Sequence, residues 1–368
     1  MKLTEKVSWL MGTVQRTLFP HLAECLVAPL TTQEKRLVKI LELVHRENYV
    51  PKSTARQWLG RPLKERASIA RAFVAKAVLG YPHTRALLHA LRTTATLRIL
   101  CGFATRSVVP SASTFSRAFA EFASGGLATV VHDALGQEPL RTTLIGHISR
   151  DATAIQGREK PVQKVKQPKG PRKKGRPAKG VHQEPREPKR LAVQQQQSAQ
   201  DAMALLPTVC DRGVKKNAKG YTETWHGFKL HIDVNDNGLP VSVVLTSASV
   251  HDSQVAIPLM KLTSTKGTSC YDLMDAAYDA GPLWEQSRAL GHVPIIDRNP
   301  RGGPVVPMAP HEAQRYHERT ASERFNSRLQ EEFGGRNVMV RGARKVMSHL
   351  MFGVVALFAD QLRKVAGC

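Results

Sequence analysis

The stretch WHGFKLHIDVNDNGLPVSVVLTSASVHDSQ, residues 225–254, decides the fold of this chain. Between His226 and Asn235 the apolar side chains alternate, so Phe228, Leu230, Ile232 and Val234 share one face of an extended strand. Asn237–Gly238 is a tight-turn signal, and Leu239 to Leu245 supplies a second strand, which makes the segment a predicted antiparallel hairpin. Beyond it the pattern predicts a helix over 253–262, a strand ending near Asp275, a helix over 283–290 and a short strand, VPII, at 293–296. Upstream, LIGHISR at 144–150 reads as a strand that runs into Asp151 and ends there. Two antiparallel strands followed by alternating strands and helices predict a mixed α/β sheet.

The flanks have a different period. Residues 1–140 read as helical: Leu37, Ile40, Leu41 and Val44 recur at the spacing of one buried helix face. Phe115, Phe119 and Phe122 repeat it after Pro110–Ser111, with Ser113 available as a cap. Such a helical region is either a reader of DNA or a support. Beyond Pro310 the chain turns helical again and ends in a long helix carrying Val346, Leu350, Val354 and Phe358. The expected domains are therefore 1–140, helical, and 141–368, α/β.

A foreign segment interrupts the second domain at about 158–200. Residues 158–190 hold 13 Lys and Arg against 3 Glu, with proline and glycine throughout, and Gln194 to Gln197 follow. Such a composition cannot bury a core and predicts a disordered, solvated insert. The whole chain carries 54 Lys and Arg against 30 Asp and Glu, a net +24, and +14 remains without residues 158–190. A surplus of that size implies a polyanionic partner, nucleic acid first among them. Lys173–Lys174–Gly175–Arg176–Pro177 resembles an AT-hook, whose Gly-Arg-Pro core lies in the minor groove, although plain phosphate attraction is the simpler role for Lys173, Lys174 and Arg176.

Five scattered cysteines, none at C-x2-C spacing, suggest neither a zinc knuckle nor a disulfide framework and fit a reducing cytoplasm. The start MKLTEKVSWLMG lacks the apolar core of a signal peptide. The longest apolar run, Leu350 to Leu362, is broken by Asp360, so no membrane partner is expected. His226, His231 and His251 could suggest a metal cluster, but His226 and His231 are five apart in a strand and point to opposite faces.

Phosphodiester chemistry on DNA calls for carboxylates at strand ends, where a sheet can gather distant positions around hard divalent ions. Asp151, Asp275 and, on the helix ERTASERFNSRLQEEF, Glu323 are the candidates, with Asp252 and Asp272 as rivals. Five stretches in order resemble the DDE transposases of bacterial insertion sequences, of the insertion-sequence-4 and insertion-sequence-5 type. They are ISRDATAI (148–155), the hairpin 225–254, LMDAAYDA (273–280), IIDRNPR (295–301) and the helix of Glu323. GRPL (60–63) and VPSASTFSR (109–117) add a looser similarity. The family's Y-x2-R-x3-E-x6-K signature is matched by Tyr316, Arg319 and Glu323, with Gln330 in place of the final Lys. These four positions are expected on one helix face.

The resemblance implies a ribonuclease-H-like catalytic domain behind a helical DNA-end-binding domain. It implies Asp151, Asp275 and Glu323 as catalytic residues holding two Mg²⁺ ions, for which Mn²⁺ can substitute. Asp275 is preferred to Asp272 because Tyr278 completes D-x-x-Y-D. Tyr316, Arg319 and the residue at 330 would contact DNA. The implied activity is binding of terminal inverted repeats in double-stranded DNA, cleavage, and joining of the 3′-hydroxyl to target DNA by a homodimer in a synaptic complex, in the bacterial cytoplasm at the nucleoid. Only 48 residues separate Asp275 from Glu323, which leaves no room for a large all-β insertion there. A catalytically silent DNA-binding descendant, favoured only by Gln330, and a nuclease or resolvase of the same fold are the alternatives.

Overall fold

At the centre of the sheet runs β1 (Ile145–Gln156), flanked by a strand from the predicted hairpin on one side and a parallel strand on the other. The structure, a computed structural model, describes residues 30–44, 65–163, 189–216, 219–300 and 307–367. GRPL at 60–63 and Lys173, Lys174 and Arg176 lie outside the described residues.

Among the described residues six α-helices precede β1: α1 (Thr32–Val44), α2 (Arg66–Val78), α3 (Thr84–Thr93), α4 (Ala95–Leu100), α5 (Ala112–Ser124) and α6 (Leu127–Arg141). After it come α7 (Arg190–Gln196), α8 (Ala199–Ala204), β2 (Asp211–Lys216), β3 (Thr222–Asn235) and β4 (Pro240–Ser247). Then follow α9 (Ser253–Ser264), β5 (Ser269–Met274), α10 (Gly281–Ala289), β6 (Val293–Ile296), α11 (Pro310–Tyr316), α12 (Thr320–Glu331) and α13 (Ala343–Val365). The sheet runs β2-β3-β1-β5-β6, with β4 also paired to β3. β3 is antiparallel to both of its partners β1 and β4, whereas β1, β5 and β6 are parallel. This is the mixed ribonuclease-H-like sheet expected from the hairpin.

The hairpin forms as its sequence dictates. Phe228, Leu230, Ile232 and Val234 are fully buried on one face, and Gly238 turns the chain at φ 72°. Gly227 has its own reason: a Cβ there would stand 2.1 Å from the Ile155 carbonyl oxygen of β1, so only glycine lets the two strands meet.

Four expectations need correction. β1 continues past Asp151 to Gln156, because Ala152 to Gln156 keep pairing with β3; Asp151 is therefore in mid-strand. Ser111 rather than Ser113 caps α5, accepting from the Thr114 N–H. The insert is narrower than 158–200, since residues 190–204 form α7 and α8. There Gln194 is buried and Lys261 donates to the carbonyls of Gln194, Gln195 and Gln197, so backbone hydrogen bonding outweighs the polar composition. Finally, the described helices between residues 30 and 141 share one core with α13 and the sheet.

That last point follows from α13. It is apolar around its whole circumference, which marks a helix buried on all sides. By length and composition it could cross a bilayer, but most of its apolar stretch is buried inside the fold. Phe352 on α13 packs against Phe73 of α2 and Phe119 of α5, so one core joins the helical region to the α/β region. Asp360, fully buried on α13, receives Arg36 of α1 at 2.9 Å and Arg328 of α12 at 2.6 Å. Burial opposes its charge, yet these guanidiniums hold its carboxyl down at about 2. Asp360→Asn removes the buried anion that both arginines share and leaves them Glu332 alone, and it is expected to cost roughly 3 kcal/mol in urea unfolding at neutral pH. A folded pKa below the unfolded value, about 3.9, gives stability that is present above that value and lost as pH falls through 2. The acid-induced loss between pH 4 and 2 should therefore be smaller in the variant.

Candidate active site

Alternation along β1 sends Ser149, Asp151 and Thr153 to the face covered by α12, and Arg150 to the opposite face, covered by α9 and α10. On the α12 side the contacts form a ladder. The Ser149 and Ser322 hydroxyls meet at 2.7 Å, Asn326 donates to Asp151 Oδ2 at 2.9 Å, and Gln330 donates to Thr153 Oγ1 at 2.6 Å. Four residues of helix rise about 6 Å and two residues of strand about 6.8 Å, so side chains at i, i+4, i+8 meet those at j, j+2, j+4. The ladder fixes α12 along the strand that carries Asp151. Ser149 also donates to the Arg319 carbonyl at 2.7 Å, pinning the 3-10 turn His317–Arg319 that breaks the predicted single helix after Tyr316.

Asp275 follows β5 at its carboxyl end and accepts from the Ala277 N–H at 2.9 Å. Burial pushes the Asp151 carboxyl up to about 6, and the charges of Asp275 and Asp252 add to the shift. Burial also raises Asp275, helped by Asp252 and Asp297. The Tyr278 hydroxyl lies buried beneath, has no hydrogen-bond partner among the described residues, and feels Asp252, Asp151 and Asp275. Two crowded carboxylates beside an unsatisfied buried hydroxyl make a hard-oxygen donor set that fits a divalent cation.

Glu323 is next to the anchored Ser322, but its carboxylate pairs with Arg319 one turn back and is half-exposed. Among the described residues no three of His, Cys, Asp and Glu converge as a metal group, so the expected three-carboxylate cluster is not assembled. The physical reason is charge: Arg319 takes Glu323, and the charges of Asp151 and Asp275 also act on Arg319. An exposed ion pair is worth about 0–1 kcal/mol, so Arg319 holds Glu323 only weakly.

The other predicted residues divide. Tyr316 lies against the Arg319 guanidinium, 5.7 Å from ring centroid to Cζ, and burial lifts its hydroxyl to about 12. Gln330 lines a polar groove of about 510 Å³ with Thr153, Gln156, Thr224, Trp225 and Arg336. Asp272 is fully buried on the Arg150 face, accepting from Ser287 at 2.6 Å and lying 3.0 Å from His292. Asp252 stands at the site's margin, held by Lys229 at 2.8 Å. The three histidines do not gather: His226 and His251 are exposed, and buried His231, driven down to about 4 by burial, contacts Thr246 at 2.9 Å. Sequence reasoning missed Asn326, although its place one turn after Glu323 was a usable signal, and assigned nothing to Asp297.

One aspartate thus sits on the central strand of a ribonuclease-H-like sheet and a second, whose charge acts on it, just after the parallel neighbour. The chain belongs to the Transposase DDE domain family, which matches residues 146–359. Residues 26–121 match a second family, Transposase domain (DUF772). No curated protein and no solved structure matches the chain. It is thus a transposase by family, and that family implies a DNA-cleaving enzyme that uses divalent metal.

Proposed function

We propose that the chain binds the terminal inverted repeats of a mobile element, cuts the phosphodiester there and joins the freed 3′-hydroxyl to target DNA. The observation that carries the reading is that the charge of Asp275 acts on the buried Asp151, with α12, the helix of Glu323, laddered along β1 beside it. Asp151, Asp275 and Glu323 hold two Mg²⁺ or Mn²⁺ ions, which supply Lewis-acid stabilisation of the attacking and leaving oxygens when bound. Asn326 orients the Asp151 carboxylate. Arg319, released by Glu323, and Tyr316 hold the phosphate backbone. The N-terminal helices read the repeat, two subunits bring two ends together, and Lys173, Lys174 and Arg176 attract phosphates without regard to sequence. Incubation with a labelled element end, a target plasmid and Mg²⁺ should yield joined product. Cleaved ends that never join would favour a nuclease, and intact ends a silent binding protein.

Two further results are expected. Deleting residues 164–188 removes a net +7 while sparing α7. Melting temperature and cleavage should persist, whereas affinity for every duplex falls and the plot of log affinity against log salt becomes shallower; precipitation of the protein would instead make the segment structural. Gln330→Lys places an ammonium in the polar groove, still able to donate to Thr153. Binding to the element end should tighten several-fold and the salt slope steepen by about 0.9, as one added phosphate contact requires. Unchanged affinity and slope would mean that position 330 does not face DNA.

A further inference from the structure

Beyond β6, on the side of the sheet edge away from the Gln330 groove, Trp284 of α10 lies half-buried with two guanidiniums against its ring. Arg298 Cζ is 4.4 Å and Arg288 Cζ 5.6 Å from the ring centroid. Asp279, four residues after Asp275, fastens the group. It accepts from Trp284 Nε1 at 3.1 Å, from Arg298 at 3.4 Å and from the Asn299 N–H at 3.0 Å. Arg298 follows Asp297, whose charge acts on both Asp275 and Tyr316. The cluster is thereby tied at both ends to the segments around the aspartate pair.

Its charge is positive on balance. Arg288 and Arg298 are exposed, and the neighbouring α7 brings exposed Lys189 and Arg190, while Glu285 is engaged by Gln195 at 3.2 Å and Asp279 is occupied as above. A guanidinium stacked on an indole has few conformations left to lose and is weakly hydrated, so its N–H edge is prepared for a bidentate phosphate contact. The sheet order sets the direction of a bound strand. In the sheet order the Gln330 groove is lined from β1, β2 and β3, whereas the Trp284 cluster is tied through Asp279 and Asn299 to the segments that follow β5 and β6, so the two lie to either side of the β1–β5 pair that precedes the aspartates.

We infer that Trp284, Arg288 and Arg298 form a ledge that grips the phosphate backbone of the DNA strand passing Asp151 and Asp275. This rests on the reading of the chain as a DNA-cutting protein. The test is fluorescence anisotropy of the full chain with a labelled 30-base-pair duplex over a range of salt. Arg288→Gln and Arg298→Gln should each weaken binding several-fold and lower the salt slope by about 1. Arg298→Lys, which keeps the charge but loses the planar stack, should weaken binding with the slope retained. Arg141→Gln, at the opposite end of β1, should change neither. Wild-type binding with the slopes of Arg288→Gln and Arg298→Gln unaltered overturns the ledge, as does an equal loss on Arg141→Gln. Absence of any DNA binding by the wild type overturns instead the reading on which the ledge rests.

Discussion

Asp151→Ala and Asp275→Ala are each expected to lower cleavage of an element end by several orders of magnitude while leaving affinity for that end within a few-fold of wild type. On the proposed function the carboxylates would serve the metal ions, and such ions supply most of the charge stabilisation in phosphodiester chemistry. DNA affinity comes from cations elsewhere, since the removed groups are anions. Glu323→Ala should behave alike, although its carboxylate rests on Arg319 before it is recruited. Asp272→Ala provides the contrast. That side chain is buried on the far face against Ser287, His292 and Arg150, so its loss should lower stability and leave the chemistry of the folded fraction intact. Normal cleavage by Asp275→Ala beside dead Asp272→Ala, measured on a labelled end, would reverse the assignment.

Arg150→Met is expected to destabilise the chain by roughly 3–5 kcal/mol, a large part of the 5–15 kcal/mol that holds a domain together. Arg150 is the largest fully buried side chain and lies back-to-back with the catalytic face of β1. It pairs with Asp233 of β3 at 2.7 Å and approaches Asp272 of β5 at 3.7 Å, cross-linking three central strands by charge. Without it Asp233 keeps only the Thr263 hydroxyl for its buried charge, while Asp272 still has Ser287 and His292. Burial already raises the Asp233 carboxyl despite Arg150 and Thr263. Adding Asp233→Asn to Arg150→Met should recover part of the loss, because a neutral amide costs less to bury than an orphaned anion. Urea midpoints of the two single variants and the double variant give the coupling; additive losses would mean that the pair is not coupled.

The hairpin was legible because period-2 alternation and an Asn-Gly turn are local signals, and VPII fell where the sequence put it, at 293–296. The end of β1 was not, since ATAIQ is held in the sheet by β3, a partner more than seventy residues away. α7 lay hidden because glutamine-rich composition gives no apolar period; its order comes from Lys261 and α10. The unity of the core was equally hidden: nothing local says that α13 inserts its apolar circumference among helices from the other end of the chain. At the site, residue order put forward Asp151, Asp275 and Glu323 as candidates, but the pairing of Glu323 with Arg319 depends on rotamers that no spacing reveals. The ladder of Ser322, Asn326 and Gln330 was written in the sequence as an i, i+4, i+8 row, and became readable only once β1 was known to lie beneath it.

The most direct measurement is Mn²⁺ binding by electron paramagnetic resonance, on the full chain with an element-end duplex, for the wild type and for Asp151→Ala, Asp275→Ala and Glu323→Ala. Two ions per wild-type chain are expected, with loss of at least one in every variant while the duplex remains bound. Equal Mn²⁺ binding by the wild type and all three variants would contradict the assignment of these carboxylates as the metal-holding site.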